Sequence, residues 1–131
     1  MSSNLSRQWL DRATEDLTVA RLVLKEQHPA HACLHSQQCV EKSLKAYLLA
    51  RLNTYPHTHK LVDLLAQCQG VESAFGRFLN SCIIIDQYYI PTRYPDGIPG
   101  GAPSGVPTET EAKEAITAAK EILQFVTAQL P

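Results

Sequence analysis

Apolar side chains recur along this chain at three- and four-residue steps, the spacing of one face of an α-helix. Leu10, Ala13, Leu17, Ala20 and Leu24 mark a first helix from about Leu5 to Gln27, with Ser3, Asn4 or Ser6 available as its cap. Trp9, Asp16 and Val23 flank that stripe, and Asp16 at its edge can face either solvent or a cationic partner. His28-Pro29 interrupts the pattern, and a second helix follows from about Ala30 to Leu52. A junction this short makes the two helices antiparallel neighbours. After the loop Asn53-Thr-Tyr-Pro-His-Thr-His, the positions Leu61, Leu64, Leu65 and Cys68 predict a short helix closed by Gly70. Phe75, Phe78, Leu79, Cys82, Ile83 and Ile85 predict another from Val71 to about Tyr89, stopped by Pro91.

Pro91, Pro95, Pro99, Pro103 and Pro107 then recur every fourth residue, with Gly97, Gly100, Gly101 and Gly105 between them. Such a stretch cannot be helical, and connections of that length are usually functional or mobile. Thr108-Glu-Thr-Glu111 matches a capping box, and Ala112, Ala115, Ile116, Ala119, Ile122, Leu123, Val126 and Leu130 give the last helix its apolar stripe. There is no strand-like alternation and no internal repeat. The expected architecture is all-α, an up-and-down bundle of four long helices plus one short helix, built by residues 1–131 as a single domain.

The segment from His35 to Leu49 breaks the simple pattern. On a helix it places Cys33, Val40, Leu44, Tyr47 and Leu48 on one apolar arc, and Gln37 and Glu41 fall inside that arc. A buried polar group without a partner costs about 1–3 kcal/mol, and a charge more, so this helix requires partners elsewhere in the chain. The expected partner is the segment from Tyr88 to Asp96, the two together forming a phosphate-facing cationic pocket.

Composition narrows the possibilities. With 131 residues, 44% apolar content and a formal charge of −1, the chain has a real core and no excess of positive charge for coating long nucleic acids. Any basic site must be local. No run approaches the ~20 apolar residues of a membrane helix and the start MSSNLSRQW lacks an apolar targeting segment, so the cytoplasm is the expected location. Cys33, Cys39, Cys68 and Cys82 form no Cys-x-x-Cys pair and read as reduced core thiols.

Among chemistry-bearing residues, Glu41 and Lys45 are four apart in the favourable order for a helix ion pair. Gln37, Gln38, Lys42 and Lys45 lie on the same side, as a functional surface or as an internal network. Tyr94-Pro95-Asp96-Gly97 is good turn chemistry, beside which Arg93 carries a planar donor fork suited to carboxylate or phosphate. It can bind a phosphate or tie the loop to Glu41, with Tyr88, Tyr89 and Tyr94 as ring faces for a base. His31 and His35 have the spacing of two metal ligands on one helix face, but no third ligand is evident; no metal and no cofactor are expected. His59 stands out as a loop-end imidazole, with capping or packing as its alternative role.

These residues resemble a known family. Gln37-Gln38-Cys-Val-Glu41-Lys42-Ser-Leu-Lys45-Ala46 is similar to the signature helix of the HEPN domain, the nucleotide-binding domain of higher eukaryotes and prokaryotes. Ala13-x-x-Asp16-Leu17-x-x-Ala20, Thr58-His59-x-Leu61 and Tyr89-Ile-Pro-Thr-Arg93-Tyr94-Pro95-Asp96 agree in the same order across nearly the whole chain. The resemblance implies an α-helical bundle, a homodimer, and a toxin-antitoxin setting with a minimal nucleotidyltransferase partner. It also implies metal-independent ribonuclease chemistry through an Arg followed, after about four to six residues, by His. Here no His follows Arg93; Arg21 to His28 and Arg51 to His57 meet the spacing only at helix ends away from the family's location.

The preferred expectation is a HEPN-like protein that binds a nucleotide or RNA phosphate, with Gln37, Gln38, Glu41, Lys42, Lys45, His59, Tyr89, Arg93, Tyr94 and Asp96 as ligand-binding residues. The first alternative is a metal-independent endoribonuclease toxin using Arg93 as cation and His59 for proton transfer. The second is a non-catalytic subunit whose stripe of His31, His35, Gln38, Lys42 and Lys45 contacts another protein.

Overall fold

The structure is a computed structural model that describes residues 2–89 and 107–131. These form α1 (Ser2–Lys25), α2 (Pro29–Leu52), α3 (Leu61–Val71), a 3₁₀ helix (Ser73–Phe78), α4 (Leu79–Asp86) and α5 (Glu109–Gln129), with no strand among the described residues. The Pro/Gly stretch from Pro91 to Gly105, with Arg93, Tyr94 and Asp96, lies outside them.

The two first helices are antiparallel, as their short junction requires. Ser6, near the start of α1, donates to the Ala46 carbonyl late in α2 at 2.8 Å, and Asp16 further along α1 accepts from Lys42. Ser6 is therefore no cap: it is buried inside α1 as a cross-helix donor. Pro29 opens α2, where its missing N–H would lack a partner anyway, and Asn53 closes α2 in the left-handed conformation that asparagine tolerates, its N–H reaching the Leu49 carbonyl.

Helix α2 packs against α1, α3 and α5 and is buried on nearly every side rather than along one arc. Ser36 and Ser43 are covered as completely as Val40 and Leu44. Their hydroxyls donate to the Ala32 and Cys39 carbonyls one turn back, at 2.9 and 2.8 Å, and so need no partner from another element. Helix α5 closes the bundle with Ala112, Ala115, Ala119, Ile122, Leu123 and Val126 facing inward. Its capping box is present in full: Glu111 N–H donates to Thr108 Oγ1 at 3.1 Å and Thr108 N–H to Glu111 Oε1 at 2.8 Å.

The segment from Val71 to Tyr89 departs from the single long helix its periodicity predicts. Glu72 is extended, with φ −138° and ψ 107°, and its carboxylate accepts from the Ala74 N–H, which starts a new helical segment. In the tighter 3₁₀ winding, residues three apart eclipse one another. Phe75 and Phe78 thereby both reach the core and meet the ring of Phe125, an arrangement that satisfies the same apolar spacing. Gly70 falls inside α3 rather than closing it, and α4 ends at Asp86 instead of Tyr89.

All four cysteines are free and buried. Burial pushes the thiols of Cys33, Cys39 and Cys82 up to about 12 and raises that of Cys68 as well. A chromogenic thiol reagent at pH 8 should leave the native protein unlabelled over the minutes in which it labels every cysteine in denaturant. Fast labelling of any cysteine in the native state would contradict this packing. Among the described residues, no helix is long and apolar enough to cross a membrane.

Candidate functional site

The polar residues in the middle of α2 are satisfied by one another and by the loop that leads into α3. Glu41, 5% exposed, is the centre of the cluster. Its Oε2 accepts from Lys45 Nζ at 2.8 Å and faces His59 Nδ1 at 3.0 Å, and its Oε1 accepts from Gln37 Nε2 at 3.2 Å. Gln37, fully buried, also donates to the His59 carbonyl at 3.3 Å, and its own oxygen accepts from Gln38 Nε2 at 2.7 Å. Every acceptor on the glutamate has a donor, the condition under which a buried charge is tolerated.

Two aromatic rings complete the surroundings of Lys45. Its ammonium lies 5.9 Å from the centre of the Trp9 ring and 5.3 Å from that of Tyr55, and these rings pack edge to face on each other. The ammonium therefore faces a carboxylate and π-faces, and Lys45 as a whole is 6% exposed. Neither aromatic residue is singled out by the helical periodicity: Trp9 lies beside the α1 stripe, and Tyr55 sits in a loop.

His59 joins the interior to the surface. Its side chain is 59% exposed, while Nδ1 meets the buried carboxylate. A carboxylate only accepts, so the proton sits on Nδ1 and the outward Nε2 is left without a hydrogen-bond partner among the described residues. The imidazole lies against the Tyr89 ring with centres 5.0 Å apart and planes 13° from parallel. With Nδ1 keeping its proton against the carboxylate, Nε2 of the neutral ring accepts a proton, and Nε2 of the imidazolium donates to an anion.

Behind the stack lies Asp86, a residue that the periodicity passes over. It is the last residue of α4, yet its carboxylate accepts from the first two backbone N–H groups of α3, Leu61 at 2.7 Å and Val62 at 3.1 Å. A negative charge is unfavourable at the C-terminal end of its own helix and favourable at the N-terminal end of another. An acid ending the apolar run Ile83-Ile84-Ile85 is thus the sequence signal for such a cross-helix cap. Burial raises the Asp86 carboxyl above its usual range, opposed by these two backbone bonds.

The sequence-predicted residues divide into three groups. Gln37, Gln38, Glu41, Lys45, His59 and Tyr89 converge on this cluster. Lys42 turns the other way, donating to Asp16 at 2.6 Å across the α1–α2 seam, where His35 Nδ1 also stands 3.5 Å from the same carboxylate. The expected juxtaposition of Arg93, Tyr94 and Asp96 with Glu41 lies outside the described residues. Both lysines have carboxylate partners, so among the described residues the cluster is an internally neutralised network, and the cationic pocket expected with Arg93 lies outside those residues. The stripe of His31, His35, Gln38, Lys42 and Lys45 is likewise divided between the surface, the seam and the interior. Among the described residues no group of His, Cys, Asp and Glu could hold a metal ion.

The HEPN domain family model matches residues 6–129. The chain belongs to the HEPN family. Among solved structures, TT1696 of Thermus thermophilus superposes with a TM-score of 0.85 at 36% identity, covering 95% of this chain and 98% of that one. ST0689, described as an archaeal HEPN homologue, gives 0.77 at 32% identity over 96% and 98%. A protein of Methanocaldococcus jannaschii carrying the name "Putative toxin MJ1304" is 28% identical, over 92% of this HEPN chain and 85% of its own.

Proposed function

We propose that this HEPN protein is toxin-like and binds a phosphate of a nucleotide or RNA at the face made by His59 and Tyr89, with a minimal nucleotidyltransferase as its partner. The observation that carries the reading is the Glu41–His59 contact. A buried carboxylate fixes the ring of an exposed histidine and leaves Nε2 pointing away from the core. Stacking on Tyr89 holds the ring plane, and the phenol ring adds a surface for a base. In this reading Gln37, Gln38 and Lys45 act from behind by holding Glu41, and Arg93, Tyr94 and Asp96 supply further contacts from the adjoining segment. The likeness to a relative named as a toxin supports the toxin-like part.

Titrating ATP, GTP and a short RNA against wild type, His59→Ala and Arg93→Ala tests it. Wild type should bind at least one of them, and each substitution should weaken that binding about tenfold or more, some 1.4 kcal/mol. Equal affinity in all three proteins, or none in any, rejects the reading. Inspection of the neighbouring genes for a small nucleotidyltransferase, followed by co-purification and sizing with its product, tests the partner, and absence of such a gene or of a complex rejects it.

The same contact favours a second reading, metal-independent RNA cleavage. A carboxylate-held imidazole can take the 2′-hydroxyl proton at Nε2 as the 2′-oxygen bonds to phosphorus, while a guanidinium such as that of Arg93 steadies the charged phosphorane. The P–O5′ bond then breaks, the leaving oxygen takes a proton from water, and a 2′,3′-cyclic phosphate and a 5′-hydroxyl result. Cleavage of RNA in the presence of chelator, lost in His59→Ala, is its expected result. Uncut RNA with pure wild type removes it.

A further inference from the structure

The imidazole and phenol rings that stack belong to different parts of the chain. His59 ends the loop before α3, and Tyr89 follows the end of α4. Asp86 connects the two: it lies three residues before Tyr89, and the N–H groups it accepts belong to Leu61 and Val62, two and three residues after His59. Among the described residues the first turn of α3 gets no side-chain cap from its own N-cap position, Lys60. After Asp86 the chain tightens, with Gln87 N–H on the Ile84 carbonyl and Tyr88 N–H on that of Ile85, so the path from the carboxylate to Tyr89 is a short hydrogen-bonded turn.

We infer that Asp86 is a positioning residue for the His59–Tyr89 face, its carboxylate clamping the first turn of α3 to the end of α4 and so holding the two rings in register. The clamp rests on the phosphate-binding reading only for its purpose; the geometry it imposes is measurable without any ligand. Glu41 fixes one edge of the imidazole and Tyr89 its plane. Apolar packing brings α3 and α4 together, and the two bonds to Asp86 fix how the first turn of α3 meets the end of α4.

Proton and nitrogen NMR of the His59 ring reads the clamp directly. In wild type the ring protons should be shifted upfield by the Tyr89 ring, and the nitrogen shifts should report the proton on Nδ1. Asp86→Ala should lose most of the upfield shift and move the ring toward a mixture of tautomers; Asp86→Asn, which keeps one acceptor oxygen, should fall between. Thr108→Ala removes a helix cap of the same kind from α5 and serves as the control: it should lower the melting temperature and leave the His59 signals in place. Short-RNA affinity should fall about tenfold in Asp86→Ala. Unchanged His59 signals in folded Asp86→Asn and Asp86→Ala would overturn the clamp, as would an equal displacement in Thr108→Ala. Absence of binding of ATP, GTP and short RNA alike by wild type would reject the proposed ligand, while the ring signals still decide the clamp.

Discussion

Glu41→Leu is expected to cost about 3–5 kcal/mol of folding stability, because it removes one partner of a buried ion pair and leaves the other in place. Lys45 is enclosed by Glu41, Trp9 and Tyr55, and without the carboxylate its ammonium has only the two ring faces. Gln37 loses an acceptor, and the Nδ1 of His59 loses the group that orients it. Denaturant titration should show the loss as a lower midpoint with an unchanged slope. Pairing the change with Lys45→Met tests the cause: the double variant should be more stable than Glu41→Leu alone, since it removes the stranded charge and keeps much of the stem's volume. A single variant within about 1 kcal/mol of wild type would mean that the pair is solvated, contrary to its burial.

Phe75→Ala should be of similar size, about 3–5 kcal/mol, by a different route. Phe75 is fully buried and its ring packs edge to face on Tyr47 of α2, 4.6 Å between centres, and on Phe125 of α5, 4.9 Å. Alanine would open a cavity at the meeting point of three elements. For a domain near this length such a loss lowers the melting temperature by about 10 °C or more. Phe78→Ala, at a residue still 6% exposed, should cost less. A larger loss there than at Phe75 would contradict the packing order described.

The bundle was legible because α1, α2 and α5 run for 24, 24 and 21 residues, long enough for periodicity to show, and in α5 the capping box agreed with it. Between Val71 and Tyr89 it was less so, since Phe75 and Phe78 fit a 3₁₀ turn and an α-helix equally well. What decided between them was the Glu72 side chain reaching Ala74, a choice that spacing does not encode. The same distinction applies to the site. Gln37 and Glu41 announced themselves as polar residues among apolar ones, and the demand for partners followed from physics. Lys45 was legible as the partner four residues on along the same helix, whereas the contact of His59 from the next loop was not. Lys42, three residues from Lys45 and alike in chemistry, belongs to the seam with Asp16, since the roughly 60° between them around the helix puts Lys42 at the α1 edge of the shared face. Asp86 could be noticed as an acid ending an apolar run, but the N–H groups it caps depend on the start of α3 meeting the end of α4, which the sequence does not show.

One oxygen atom of Glu41 serves both the interior and the surface. Oε2 receives the Lys45 ammonium from within and faces the His59 imidazole at the boundary. Whatever tugs on that ring from outside also redistributes the bonding of a cation sealed in the bundle. Occupancy of the outer face and rigidity of the middle of α2 are therefore thermodynamically linked, and a tenant that draws the ring outward gives up part of its affinity to loosening the core.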